Sequence, residues 1–103
     1  MLEKIEFGEL EQFIIKRQFL TNVMAMFGIG KRYNVLFKFP NGYGGSVIEG
    51  QGSYGMELAV VKFKGDSENF NLVYDTHIAD EVLGHLTKVE LLNTLEQIKN
   101  LEG

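Results

Sequence analysis

The feature that most limits how this chain can fold is a run of short alternating stretches between Tyr33 and Thr76, joined by glycine-rich turns. From Tyr33 to Phe39 every second residue is apolar, which is typical of a strand with one buried face, because strand side chains point alternately to the two faces. Comparable stretches predict three more strands, at about 44–48, 56–64 and 70–74. We therefore expect a four-stranded antiparallel β-meander over residues 33–76.

The turns and the third strand refine this expectation. Pro40 closes the first strand, and Asn41-Gly42 follows it, a pair suited to the positive φ angles of a type I′ hairpin turn. The stretch from Met56 to Lys64 is apolar on both faces, which predicts an interior strand covered on each side.

The end of the chain predicts a helix with a defined start. Thr87-Lys88-Val89-Glu90 fits a capping box, in which Thr87 accepts from the backbone N–H of Glu90 and Glu90 reaches back. The helix should run to about Asn100 and bury a stripe formed by Leu91, Leu92, Leu95, Ile98 and Leu101. Before it, the residues from Ile78 to Gly84 predict a short helical turn.

Residues 1–30 predict a helix as well. Acidic residues crowd its first part, where they would complement the helix dipole, and Gly28 stands where a left-handed residue would end it. Its apolar stripe comprises Leu10, Phe13, Ile14, Leu20, Val23, Met24 and Phe27. The fold class is thus α+β in a single domain over residues 1–103: N-terminal helix, sheet, then a C-terminal helical segment (78–101) packed on the sheet.

Three further apolar residues, Ile15, Phe19 and Met26, fall outside that stripe. A helix that is apolar nearly all round must be covered on more than one side. We expect this surface to contact a partner, most simply a second copy of the chain, so that the protein is a homodimer. Complete burial within one subunit is the alternative.

Composition excludes several classes of function. There is no cysteine, so disulfides, thiol nucleophiles and cysteine-ligated metals are ruled out. The net charge of −4 argues against a dedicated nucleic-acid binder, since such proteins neutralise phosphates with lysine and arginine. No apolar run approaches the roughly 18 residues of a membrane span, and the start is acidic, so we expect no membrane contact and a cytoplasmic location.

The segment from Gly50 to Gly55 matches the letters G-x-G-x-x-G of nucleotide-binding loops. A dinucleotide loop leads into a helix whose amides meet the pyrophosphate, whereas a strand follows here. A glycine-rich hairpin loop is the favoured interpretation, and we expect no cofactor.

A second set, Tyr33, Phe37, Lys62 and Lys64, could form a basic and aromatic sheet face for single-stranded nucleic acid. The competing interpretation is that the lysines protect strand edges from aggregation. Nucleic-acid binding is therefore kept as an alternative function.

Asp75, His77 and Asp80 lie close together in the sequence, and such groups can do general-base work or bind a metal. Turn and helix-cap roles are favoured for them, so we expect no metal and no catalysis. Tyr43 and Tyr54 lie in or beside glycine-rich turns, where tyrosines make low-entropy contact points for a partner. The alternative is that they fold down over the end of the sheet.

Three segments carry a resemblance to a known group of proteins: Phe39 to Ile48, Ser53 to Val60, and Tyr74 to Leu86. Their order resembles that of small uncharacterised proteins encoded by phages and prophages, which share an N-G-Y-G-x-S-V hairpin and a Y-D-T strand end. The resemblance covers about Phe37 to Leu101, and His77 departs from it where proline is commonest. It implies an accessory protein of a mobile element, a compact binder of host or phage proteins that includes inhibitors of defence systems.

These observations lead to two hypotheses. The first is a non-enzymatic protein-binding module of phage or prophage origin, dimeric through the N-terminal helix, in the host cytoplasm. The second is a weak binder of single-stranded nucleic acid through the sheet face.

Overall fold

The structure is a computed structural model that describes residues 2–21, 31–50, 55–65, 67–73, 76, 78 and 82–102. Within these residues its elements are two 3-10 helices, five strands and one α-helix. The 3-10 helices span Leu2–Lys4 and Gly8–Phe13. The strands are β1 (Ile14–Thr21), β2 (Lys31–Lys38), β3 (Tyr43–Gly50), β4 (Glu57–Phe63) and β5 (Phe70–Leu72), and the helix α1 spans Lys88–Lys99.

The strands form one antiparallel sheet in the order β1-β2-β3-β4-β5. The α+β class and the antiparallel meander are confirmed, with β2 to β5 at the places of the four predicted strands, but the prediction of four strands is wrong because β1 adds a fifth. β4 is interior, between β3 and β5, as its two apolar faces predicted.

The predicted N-terminal helix is wrong over the residues that the structure describes. Gly8 has a φ of +59°, a left-handed conformation that interrupts any helix running through it. Beyond Phe13 the chain forms β1, which pairs with β2 from Ile14↔Phe37 to Thr21↔Lys31. The pairing shifts by one residue between Ile14 and Lys16, a β-bulge that breaks strict alternation.

Strand alternation explains the apolar pattern that resembled an all-round apolar helix. Ile14 packs on the core beneath α1, whereas Ile15 packs on the opposite side of the sheet. The two isoleucines therefore cover two faces of a sheet and not two sides of a helix. Met26 lies outside the described residues.

The predicted short helical turn before α1 is also wrong where the structure describes it. Leu83 forms an isolated antiparallel bridge with Leu58 of β4, with N···O distances of 2.8 and 2.9 Å in the two directions. The N–H of Leu86 then donates to the carbonyl of Met56 at 3.1 Å. Residues 83–86 therefore run along the same edge of β4 as β5 does.

The β2–β3 turn differs from the type I′ prediction. The N–H of Gly42 donates to the carbonyl of Phe39 at 3.1 Å, and among residues 39–43 a positive φ occurs at Gly42 alone. That pattern is a type I turn with Pro40 and Asn41 at its centre, followed by a left-handed glycine, whereas the predicted type I′ turn needs positive φ at both Asn41 and Gly42. The side chain of Asn41 is directed toward α1, and its Nδ2 donates to the carbonyl oxygen of Ile98 at 2.9 Å.

The main core lies between the sheet and a layer made of α1 and the N-terminal segment. α1 crosses β3 at Gly45, where an added Cβ would lie 3.0 Å from a methyl group of Leu95. Over β2, the ring of Phe7 meets that of Phe37 edge-on, with centroids 5.1 Å apart. The predicted capping box of α1 is confirmed, with both Thr87–Glu90 hydrogen bonds in place.

The opposite face of the sheet has a smaller buried cluster of Leu36, Val61 and Phe63, against which Ile15 packs. For the parts of the chain described, no helix is long and apolar enough to cross a bilayer.

Candidate partner-binding site

A cavity of about 580 Å³ lies at the β4–β5 end of the sheet. It is lined by Tyr43, Lys62, Phe63, Lys64, Asn71, Leu72 and Val73. β4 supplies Lys62 and Phe63, and β5 supplies Asn71 and Leu72. Lys64 and Val73 directly follow these strands, and Tyr43 belongs to β3. The cavity is therefore built on the open side of the meander.

Strand register places the polar part of this lining on one face. Lys62 pairs with Tyr43 of β3 on one side and with Asn71 of β5 on the other. Directly paired residues share a face, and this is the face of Leu58 and hence of α1. The cavity thus adjoins the layer that covers the core.

The cavity carries positive charge. The ammonium group of Lys62 lies 5.1 Å from the ring centroid of Tyr43, within cation–π distance. Lys62 and Lys64 are both exposed, and no carboxylate of the described residues forms an ion pair with either. A positive, open concavity on a chain of net charge −4 is an attractive contact for an acidic group.

The other face of β5 is apolar and exposed. Phe70 and Leu72 pair with Phe63 and Val61, so they lie on the face away from α1. Leu72 is 47% exposed and Phe70 is 37% exposed, although the ring of Phe70 touches that of Phe63 with centroids 5.5 Å apart. Exposed apolar side chains on a short edge strand are a feature of surfaces that bind other proteins.

The structure describes three of the five predicted partner-contact residues. Tyr43 lines the cavity, whereas Tyr54 lies outside the described residues. Ile15 is half-buried, and Phe19 on β1 is 54% exposed and packs against Tyr33 with ring centroids 5.0 Å apart. Phe19 is level with Tyr33 and hence with Glu49, six residues along β3 from Tyr43, so Phe19 and Tyr43 belong to separate surfaces.

The four residues proposed for nucleic acid do not form one surface. Phe37 is fully buried in the core and presents no ring for a base to stack on. Lys62 is level with Tyr43, whereas Tyr33 is level with Glu49, six residues further along β3. That offset corresponds to about 20 Å. Lys62 and Lys64 line the cavity, and Tyr33 lies at the far end of the sheet.

Charged groups near the N-terminal segment have structural partners. A hydrogen bond from Arg17 is the main cause that lowers the pKa of Glu11, and hydrogen bonds to Tyr33 and Glu11 raise the pKa of Arg17. Burial would raise the pKa of Glu49, but favourable contacts, foremost the N–H of Leu2, outweigh it and lower that pKa. These groups anchor the N-terminal segment to the sheet.

The Asp75, His77 and Asp80 group lies outside the described residues. Among the residues that are described, no three histidine or acidic side chains are grouped so as to hold a metal ion. The glycine-rich segment after β3 connects two strands, with Gly55 at a φ of +61° before β4, as the hairpin-loop interpretation predicted.

The sequence did not single out Phe70, Asn71 and Leu72 as contact residues. Their alternation predicted a strand, but only the strand order makes that strand an edge. The available signal was the polar stretch Gly65–Asn69 just before it, since edge strands are commonly short and flanked by polar residues.

In comparisons with protein-family models, with curated proteins and with solved structures, nothing matches this chain.

Proposed function

We propose that this protein is a non-enzymatic binding module that docks a partner protein at the cavity and the adjoining edge of β5. The observation that carries the proposal is that two features adjoin the same outer strand: a 580 Å³ concavity on the α1 face and, on the other face of β5, two exposed apolar side chains, Phe70 and Leu72. Tyr43 adds a large, amphipathic contact at the wall of the cavity.

The resemblance to phage and prophage proteins belongs to the same proposal. It would place the partner among host or phage proteins of the cytoplasm and make inhibition of a host defence or regulatory protein the biological outcome. Single-stranded nucleic acid is less well supported, because the burial of Phe37 removes one of the two aromatic rings that the alternative needs.

The test compares two substitutions on opposite edges of the sheet. Leu72→Asp introduces a charge beside the cavity, and Phe19→Asp introduces one on β1; both residues are exposed apolar side chains on outer strands. Wild type and both variants are immobilised, exposed to host lysate, and analysed by quantitative mass spectrometry after thermal melts show that each variant is folded.

We expect one protein to be retained by wild type and by Phe19→Asp but not by Leu72→Asp. Equal retention by all three proteins would contradict the proposal, and so would selective loss in Phe19→Asp, because that result would move the contact to β1.

Self-association is a separate prediction that no longer depends on an N-terminal helix. Sedimentation velocity should show a mass that rises with protein concentration. A monomer mass that stays constant into the high micromolar range would contradict self-association.

A further inference from the structure

We infer that the partner segment which docks at β5 is an extended strand whose side chains alternate between acidic and apolar. The inference rests on the proposed function and adds the chemical class of the ligand. Three features of the edge support it: main-chain groups that pair with no described residue, different chemistry on the two faces, and positive charge on one of them.

The first feature is the direction of the backbone groups of β5. The N–H of Val73 donates to the carbonyl of Val60 at 2.8 Å, and the N–H of Lys64 donates to the carbonyl of Asn69 at 2.9 Å. In an antiparallel pair, alternate residues bond to the same neighbour, so residues 69, 71 and 73 face β4. The N–H and C=O groups of Phe70 and Leu72 therefore point away from β4, to the edge that no other described strand covers.

Such an edge selects an extended polypeptide. A strand laid along β5 would pair its own N–H and C=O groups with those of Phe70 and Leu72, which is the β-augmentation mode of peptide recognition. A nucleic acid has no repeating N–H and C=O ladder of this spacing. The main-chain groups thus favour a peptide over an oligonucleotide as the occupant.

The second feature is the contrast between the two faces that an added strand would extend. Its side chains on one face would lie beside Phe70 and Leu72, which are apolar and exposed. On the other face they would lie beside Asn71, with Lys62 and Lys64 behind it. Since strand side chains alternate between faces, the matching sequence alternates as well.

The third feature is charge. The added strand would lie about 10 Å from β4, because neighbouring strands are about 4.8 Å apart. The long side chains of a lysine from β4 and a glutamate from the partner can close that gap above Asn71. Among the described residues, the cavity lining contains two lysines and no acidic residue, so a carboxylate of the partner is attracted there and a lysine of the partner is repelled.

The experiment is selection from a displayed library of random linear peptides, with wild type, Leu72→Asp, and the double variant Lys62→Glu with Lys64→Glu as baits. Wild type should enrich peptides that carry Asp or Glu at alternate positions with apolar residues between them. The double variant should lose that acidic preference and bind the best acidic peptide about tenfold more weakly at low salt, with a smaller loss at high salt.

Strand addition has its own readout. Single N-methylation at successive positions of the best peptide should weaken binding at every second position, because only alternate N–H groups face β5. Weaker binding on N-methylation at every position, or at none, would show that the peptide does not pair with β5 as a strand.

The outcomes separate this inference from the proposed function. Peptides that enrich on wild type but not on Leu72→Asp, and show no acidic alternation, would overturn the inference and leave the docking site in place. Enrichment that is equal on wild type and Leu72→Asp would overturn both. Salt-dependent binding of an oligothymidylate probe, abolished in the double lysine variant and stronger than any peptide, would assign the cavity to nucleic acid and also overturn the inference.

Discussion

Replacing Asn41 by aspartate should destabilise the protein, although the same change would be mild in an ordinary turn. The side-chain amide of Asn41 donates toward three carbonyl oxygens at the end of α1: Ile98 at 2.9 Å, Lys99 at 3.0 Å and Leu101 at 2.9 Å. Its Oδ1 accepts from the N–H of Tyr43 at 3.0 Å. One side chain therefore joins the β2–β3 turn to carbonyls at and just beyond the end of α1, where intrahelical donors run out.

The size of the effect follows from these contacts. Asn41→Asp keeps the acceptor for Tyr43 but removes both donors, and each hydrogen bond contributes about 0.5–1.5 kcal/mol. The new negative charge also meets the negative end of the helix dipole, which costs about 0.3–1 kcal/mol more. We expect a loss of about 2–3 kcal/mol in the free energy of unfolding, or a fall in Tm of about 10 °C for a domain of this size.

The assay is urea and thermal unfolding of wild type, Asn41→Asp, Asn41→Ala and the control Asn93→Asp, which makes the same chemical change at an exposed position of α1. The control should stay within about 0.5 kcal/mol of wild type. Because carbonyl oxygens disfavour the introduced carboxylate, the folded-state pKa of that group is raised, and part of the loss should be recovered below a pH of about 4. If Asn41→Asp is as stable as Asn93→Asp, Asn41 acts in the turn alone and its role at the helix end is refuted.

Two further predictions concern the packing and capping of α1. Gly45→Val should lower the free energy of unfolding by about 1–3 kcal/mol, measured in urea, because the valine Cβ would lie 2.9 Å from a methyl group of Leu58 and 3.0 Å from one of Leu95. An unchanged urea midpoint of unfolding would mean that α1 does not pack on β3 at this position. Hydrogen bonds from the backbone N–H and the side chain of Thr87 lower the pKa of the Glu90 carboxyl group. The charged carboxylate therefore stabilises the fold above its ordinary pKa of 4.5, and this contribution is lost as the pH falls through the lower pKa of the folded state. The difference in Tm between wild type and Glu90→Gln should therefore shrink on acidification, and a difference independent of pH would contradict the capping box.

The parts of the fold that the sequence predicted are those governed by local chemistry. The alternation of Tyr33, Val35 and Phe37 holds within a single strand, and the capping box of Thr87 and Glu90 lies within one helical turn. Both patterns can be recognised without knowing which distant residues pack on them.

β1 was missed because its decisive interactions are distant in sequence. Ile14 and Ile15 are adjacent apolar residues that a helix pattern accommodates, whereas in a strand adjacent side chains point to opposite faces of the sheet. A bulge removes the period of two on which strand prediction depends. The pairing of Arg17 with Val35 then decides the conformation, and no pattern within residues 14–21 encodes it.

The candidate site could be predicted only in part for a similar reason. Tyr43 was recognisable as a large side chain in a glycine-rich turn, and it lines the cavity. That Lys62 and Asn71 lie beside it follows from strand register, and the exposure of Leu72 follows from strand order. Register and order depend on how the whole meander closes, which a single strand does not specify.

The most direct test of the docking edge is amide hydrogen exchange at β5, measured by NMR with and without a saturating library-selected peptide. In the free protein, the N–H groups of Phe70 and Leu72 should exchange faster than that of Asn71, which faces β4. On binding, exchange at Phe70 and Leu72 should slow at least as much as at any other position. Unchanged exchange at these two residues, with new protection on β1 around Phe19, would contradict the account.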